Sequence, residues 1–149
     1  VKITEIKTAI NNRIIANGGR VYSNETDEGY DKPAFFVEVI PITRTRISPV
    51  YEEVGMRVEI HYEPSVETEE ECLQTAEKID SWFATPIPIG DRKIKPPEEI
   101  QHTTDDDTTL YSEFAISVTR IYNEDAYTDD DTLMGDAELE LNIIKQGGK

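Results

Sequence analysis

Pro33-Ala34-Phe35-Phe36-Val37-Glu38-Val39-Ile40-Pro41-Ile42 and, a little further on, Val54-Gly55-Met56-Arg57-Val58-Glu59-Ile60-His61-Tyr62 decide the fold class. The first is nearly continuously apolar at its start and rich in aromatic and β-branched side chains, the pattern of a strand buried on both faces. Pro33 opens it, and Pro41 points to a bend or an edge position near its end. The second alternates: Val54, Met56, Val58, Ile60 and Tyr62 face one way, Arg57, Glu59 and His61 the other. Residues 43–53 between them, with Ser48-Pro49, are too many for a tight turn. Two antiparallel strands extended into a projecting β-arm are therefore expected.

Outward from this pair, Ile3, Ile6, Ile10 and Ile14 fall on one helical stripe. Gly18-Gly19 follows where a helix over residues 3–17 would end. A short strand is expected over residues 20–24, then a polar loop to Lys32. Pro64 ends the second strand, and Thr68-Glu-Glu-Glu71 has the form of a capping box, with Thr68 as N-cap and Glu71 reaching back. Cys72, Ala76, Ile79 and Phe83, with Leu73 and Trp82 alongside, predict the buried face of a second helix, stopped by Pro86-Ile-Pro88. Arg92-Lys-Ile-Lys95 reads as a short strand broken by Pro96-Pro97, and residues 110–122 as one long, central strand with Leu110, Phe114, Ile116 and Val118 on a shared face. Residues 137–143 alternate without fault and predict a last half-buried strand after the acidic loop or hairpin arm 123–136; residues 147–149 form a tail. The sum is α+β: a mixed, mainly antiparallel sheet with two helices packed on one face and projecting β-arm and loops. Helices and strands do not alternate regularly, which argues against a doubly wound parallel sheet.

A chain of 149 residues with 37% apolar content supports one modest core, and a single domain over residues 1–149 is expected. No run of 18 apolar residues exists, and the opening Val1-Lys-Ile-Thr-Glu-Ile lacks the apolar core of a secretory signal. One cysteine, Cys72, rules out an internal disulfide framework and points to a reducing cytoplasm. The net charge of −16 repels phosphate, so no nucleic-acid binding partner is expected, and no membrane either. The charge is uneven. Lys2, Lys7, Arg13 and Arg20 stand against Glu5 in residues 1–20, a net +3, whereas residues 101–136 set ten carboxylates against Arg120, a net −9. Such asymmetry suits head-to-tail contact between identical subunits.

Motifs for chemistry are missing. There is neither a Gly-x-x-x-x-Gly-Lys-Ser/Thr loop nor a Gly-x-Gly-x-x-Gly. His61 falls on the polar face of its strand, a surface or interface position, and His102 reads as part of a polar turn beside residues 105–107. A His102–carboxylate metal site there is outweighed by simple solvation of a loop, and the aspartate runs lack calcium-loop spacing. Cys72 lies on an apolar stripe, where a buried thiol outweighs a nucleophile, and Trp82-Phe83 read as core. With no nucleophile, base and orienter assembled, the chain reads as a non-enzyme with no cofactor and no metal.

The order Pro33-Ala-Phe-Phe-Val-Glu-Val-Ile-Pro41, then Arg44 and Arg46, then Val58-Glu-Ile-His-Tyr-Glu-Pro64, followed by the acidic-capped helix, Arg92-Lys-Ile94 and residues 110–122, resembles the tail terminator (tail completion) proteins of phages and prophages. The resemblance covers roughly residues 3–122, leaving the acidic loop and extra strand of residues 123–144 as an addition. It implies a structural virion protein: a homo-hexamer whose ring caps the head-proximal end of the tail tube, stops its polymerisation and offers a docking surface to the head connector, with a sheath as a further neighbour. Location in a virion or tail-like particle, assembled in the host cytoplasm, goes with it. A negative lumen would let DNA pass in transit without sticking. The candidate interface residues are Arg44, Arg46, Pro49, Val50 and Tyr51 on the β-arm, whose aromatic and arginine side chains suit interface anchors, against the bland alternative of a solvated hairpin. Arg13 and Arg20 are candidates to meet Asp129, Asp130 and Asp131 of a neighbour. Three other readings remain open: another neck or head–tail joining protein, a small acidic module that mimics DNA, and, weakest, a metal-dependent enzyme centred on His102 and residues 105–107.

Overall fold

A computed structural model describes residues 1–23 and 29–121 of the chain. In chain order the elements are α1 (Ile3–Ala16), β1 (Val21–Tyr22), β2 (Ala34–Arg46), β3 (Tyr51–Glu63), α2 (Glu69–Trp82), β4 (Ile87–Ile89), β5 (Arg92–Ile94), β6 (Ile100–Thr104) and β7 (Leu110–Ile121). Five strands form one mixed sheet in the order β1-β2-β3-β7-β6, and β4-β5 forms a separate two-stranded ribbon. β1 runs parallel to β2, β6 antiparallel to β7, and β2 and β3 are hydrogen-bonded neighbours joined by four residues, which forces them antiparallel. The α+β class and the mainly antiparallel sheet expected from the sequence are therefore present.

The described residues divide into two compact units, one holding most of Val1–Thr45 with Glu53–Val118, the other Arg46–Glu52 with residues 119–121. The first holds the core. Ile6, Ile10 and Ile14 of α1 are fully buried, as their spacing predicts, and share one apolar cluster with Val54, Met56, Val58, Ile60 and Tyr62 of β3. Cys72 and Ile79 of α2, Phe83 just past its end, Ile87, Ile94, and Leu110, Phe114, Ile116 and Val118 of β7 complete it. Both helices thus cover the same face of the sheet. Each buried isoleucine contributes about 1.5–3 kcal/mol against exposure, so the α1 stripe alone fixes the helix to the sheet.

The ends of α1 follow from local chemistry. The backbone N–H of Lys2 donates to the Glu5 carboxylate at 2.9 Å. At the other end Gly18 has φ +94°, its N–H donates to the Ile15 carbonyl and that of Gly19 to the Ile14 carbonyl, both at 3.0 Å. This is the Schellman arrangement that the Gly18-Gly19 pair predicts.

Several expectations need correction. Of the strand expected over residues 20–24, the described residues form only Val21–Tyr22, and Asn24 lies outside them. β2 runs past Ile42 to Arg46, and the edge position that Pro41 points to is present, because β1 pairs only with Phe35 and Phe36. Beyond that point, among the described residues, β2 is an edge where a missing N–H costs little. Pro86-Ile-Pro88 is more than a helix stop: Ile87–Ile89 is β4, paired with β5 across Gly90-Asp91, where Gly90 takes φ +59° at the first turn position. Residues 100–104, with His102, form strand β6 and not a polar turn; Ile100 is their one apolar residue, so no alternation announced them. Leu73 is 61% exposed, since it lies one helical step of about 100° off the Cys72–Ile79 stripe. The loop 123–136, the strand expected over residues 137–143 and the tail 147–149 lie outside the described residues.

Candidate functional site

The hairpin formed by β2 and β3 was the leading sequence candidate. Its tip is a tied loop: the Ser48 hydroxyl accepts from the backbone N–H groups of Val50 (3.2 Å) and Tyr51 (3.0 Å), while the N–H groups of Ile47 and Ser48 both donate to the Tyr51 carbonyl. Arg44, Arg46, Pro49, Val50 and Tyr51 are all exposed. The exposed large apolar side chains here are Ile47 at 57%, Val50 at 38% and Tyr51 at 49%. Within the same compact unit Glu52 is buried at 1% exposure and accepts from Arg120 Nε at 2.8 Å. Glu52 is in phase with the apolar face of β3 and Arg120 with that of β7, two opposite charges on apolar stripes of neighbouring strands. That signal was available in the sequence and was missed.

Arg13 and Arg20 are placed differently from each other. Arg13 reaches from α1 to the segment after α2, donating to the carbonyls of Trp82 and Pro86 (2.8 Å for the latter) and to the Thr85 hydroxyl at 3.2 Å. It ties two elements of its own chain together. Arg20 is exposed, and its carbonyl accepts from Phe35 N–H at 2.9 Å. Asp129, Asp130 and Asp131 lie outside the described residues.

Among the described residues, the residue types of hydrolytic chemistry meet at His102. Its Nδ1 lies 2.8 Å from Ser112 Oγ and its Nε2 2.8 Å from Asp80 Oδ1. Exposure runs the wrong way for catalysis, however. Ser112 is fully buried, whereas the Asp80 side chain is 54% exposed. A nucleophile must meet its substrate, so this chain acts as a clamp holding α2 to β6 and β7. Asp105, the expected neighbour of His102, is engaged elsewhere: its carboxylate accepts from the N–H groups of Thr109 (2.8 Å) and Asp107 (3.0 Å) and from the Tyr111 hydroxyl (2.9 Å). The Thr109 bond leads in holding its pKa below the usual carboxylate range. Among the described residues no group of three His, Cys, Asp or Glu side chains is placed to hold a metal ion. Burial pushes the Cys72 thiol up, with Glu71, Asp105 and Glu69 adding to it, which disfavours the thiolate.

Glu71 also departs from its expected role. Thr68 caps α2 by accepting from the Glu71 N–H at 3.3 Å, but the Glu71 carboxylate reaches past Thr68. It accepts from the Tyr62 hydroxyl at 2.7 Å and from the N–H groups of Ser65 at 2.8 Å and Val66 at 3.3 Å. Burial acts to raise the Glu71 pKa, but these donors together outweigh it and the net shift is downward. Burial, and next the bond to Glu71, push Tyr62 up to about 12.

The sheet face turned away from the helices carries the outward side chains of β3 and β7. Arg57 Nε bonds Glu59 at 3.0 Å and, across the strands, Glu113 at 2.9 Å. The His61 ring packs edge-on against Tyr111 at 4.6 Å. Beside them lies a groove of about 650 Å³ floored by Gly55, Ala115 and Ser117 and bordered by Ile42, Pro96 and Pro97. A Cβ at Gly55 would stand 2.5 Å from Thr43 Oγ1, so a side chain there would force Thr43 to shift. Sequence reasoning missed the groove; its only trace is small residues in outward phase on two strands that prove to be neighbours.

What the described surfaces offer is contact area, a tied apolar loop tip and a shallow groove, with His102, Ser112, Asp105 and Glu71 held in hydrogen bonds within the chain. No described helix is long and apolar enough to cross a membrane. Comparison with curated proteins returns no match. The family model described as "Phage tail terminator protein" matches residues 5–132, most of the chain and every element described above except the first two residues of α1. The chain therefore belongs to the phage tail terminator protein family, a family of structural phage tail proteins.

Proposed function

We propose that this chain forms a ring, a homo-hexamer, that caps the head-proximal end of the tail tube and ends its polymerisation. The observation that carries this reading is the family match over residues 5–132. The tail tube protein is the first partner, with the head connector, and a sheath where one exists, on the opposite side. The β2–β3 hairpin, with Arg44, Arg46, Pro49, Val50 and Tyr51, supplies contacts in this assembly; tied loops with exposed aromatic and aliphatic residues make efficient anchors. A net charge of −16 per chain suits a ring through which DNA passes without adhering.

Adding the purified protein to polymerising tube protein tests the proposal. Tubes whose ends carry an extra ring by negative-stain imaging, and whose growth stops, are expected. Tubes that lengthen unchanged, with the protein remaining free in sedimentation, refute it.

A further inference from the structure

We infer that the β2–β3 hairpin tip of one copy docks in the outer-face groove of a second copy, forming the joint from which the ring is built. This deepens the ring reading and rests on it. Three observations converge. The tip holds Ile47, Val50 and Tyr51 exposed on a loop already fixed by the Ser48 and Tyr51 hydrogen bonds, so docking them costs little further ordering. The groove, at about 650 Å³, has a floor of small side chains and an apolar border of Pro96, Pro97 and the 57% exposed Ile42, a shape and chemistry for aromatic and aliphatic side chains. Charge adds to this: exposed Arg44 and Arg46 lead into the tip, while the groove's lining sets Glu98, Glu99 and Glu113 against Arg57 and Lys95. With Lys95 paired to Glu98 at 3.7 Å, the exposed Glu99 is the carboxylate offered to an incoming arginine.

Charge also argues for a second copy as the occupant. Chains of −16 repel one another, so any self-contact needs a local pairing of opposite signs to overcome the general field. Tip and groove are different surfaces of one chain. Their contact is heterologous, and every copy carries one of each, which is what a closed ring requires.

The test uses the full chain, alone and with its tube protein, read by native mass and negative-stain imaging. The tip variant is Val50→Ser with Tyr51→Ser; the groove variant is Ala115→Arg. All three positions are exposed, and circular dichroism checks that each variant is folded. Each variant alone is expected to need roughly 30-fold or more higher concentration to form rings, the loss of a central interface anchor. An equal mixture of the two is expected to give dimers, because one intact joint survives per pair, and no rings. A charge exchange gives an independent arm: Arg46→Glu and Glu99→Arg each weaken ring formation, and together restore it. If the folded variants form rings at the wild-type concentration, this joint is wrong while the ring stands. Rings that form normally from the tip variant but no longer hold the tube assign the tip to the tube protein, which also overturns the inference. A wild-type chain that forms no ring, alone or on the tube, removes the ring reading itself and this joint with it.

Discussion

Replacing Glu71 by alanine removes the acceptor for four donors at once. The carboxylate takes bonds from the Tyr62 hydroxyl, the N–H groups of Ser65 and Val66, and the Ser65 hydroxyl at 3.2 Å. Hydrogen bonds to a charged group contribute about 1.5–3 kcal/mol net, and exposed donors such as Ser65 recover water when released. Tyr62 does not, being only 5% exposed. The expected loss for Glu71→Ala is therefore about 3 kcal/mol, dominated by the buried phenol. With a urea slope of about 1–3 kcal/mol/M for a domain of this size, the midpoint falls by about 1–3 M. Tyr62→Phe removes the same hydroxyl with little change of shape, so the double variant is expected to lose about 1–2 kcal/mol less than the two single losses added. Acid should show the same bond. The folded pKa of Glu71 is lowered, so its stabilisation is complete above the ordinary carboxylate value near 4.5 and is lost as pH falls through the lower folded value. Glu71→Gln keeps an acceptor but cannot titrate, and so flattens that part of the curve. Urea unfolding at neutral and acid pH measures all three. A loss under about 0.5 kcal/mol, or strict additivity with Tyr62→Phe, would refute the account of this corner.

Ile10→Ala, in the fully buried stripe of α1, is expected to cost about 2–5 kcal/mol, seen as a fall in thermal midpoint; a loss below about 1 kcal/mol would mean the helix is not seated on the sheet as described. Gly19→Ala places a Cβ 2.6 Å from Ile14 Cγ2 and 2.9 Å from a Phe35 ring carbon, so it should destabilise more than Gly18→Ala, which meets only its own φ of +94°. Chemical denaturation of the pair settles the order. Native Cys72 should resist a thiol reagent and react on unfolding, whereas an ultraviolet titration should show one of the seven tyrosines ionising near pH 12, a step abolished by Tyr62→Phe.

Legibility followed the strength of each local pattern. Four isoleucines on one helical stripe, the alternation of Val54 to Tyr62 and that of Leu110 to Val118 are patterns repeated several times over, so α1, β3 and β7 could be placed within a few residues. β6 could not: its polar residues make it a strand only because Leu110 to Phe114 are there to pair with it. β4 was hidden by Pro86 and Pro88, since a two-stranded ribbon tolerates a proline that a central strand would reject. Side-chain partners were the least legible. Nothing local tells His102 that Asp80 and Ser112 will converge on it, or sends Glu71 past Thr68 to Tyr62. The hairpin residues were legible as a surface by their types, but the groove was not, because smallness at Gly55, Ala115 and Ser117 has meaning only once β3 and β7 are known to be neighbours.

The two faces of the sheet divide the demands on this chain. On the helix side almost every position is filled by apolar residues that fix the fold, and the polar groups admitted there, such as Ser112 and Thr75, are buried. The outer face carries little of that burden: Arg57, Glu59 and Glu113 pair at the surface, where such pairs contribute about 0–1 kcal/mol. Residues there are free to be chosen for what they meet. A glycine floor that weakens a strand interior, a Pro96-Pro97 border that gives no hydrogen bonds to a sheet, and apolar side chains held out on a tied loop all cost stability or solubility where they stand. A chain selected for its own stability alone would fill the groove and make the loop polar. That it does neither supports the proposal that assembly uses the outer face and the hairpin, with a partner whose surfaces are shaped to match them.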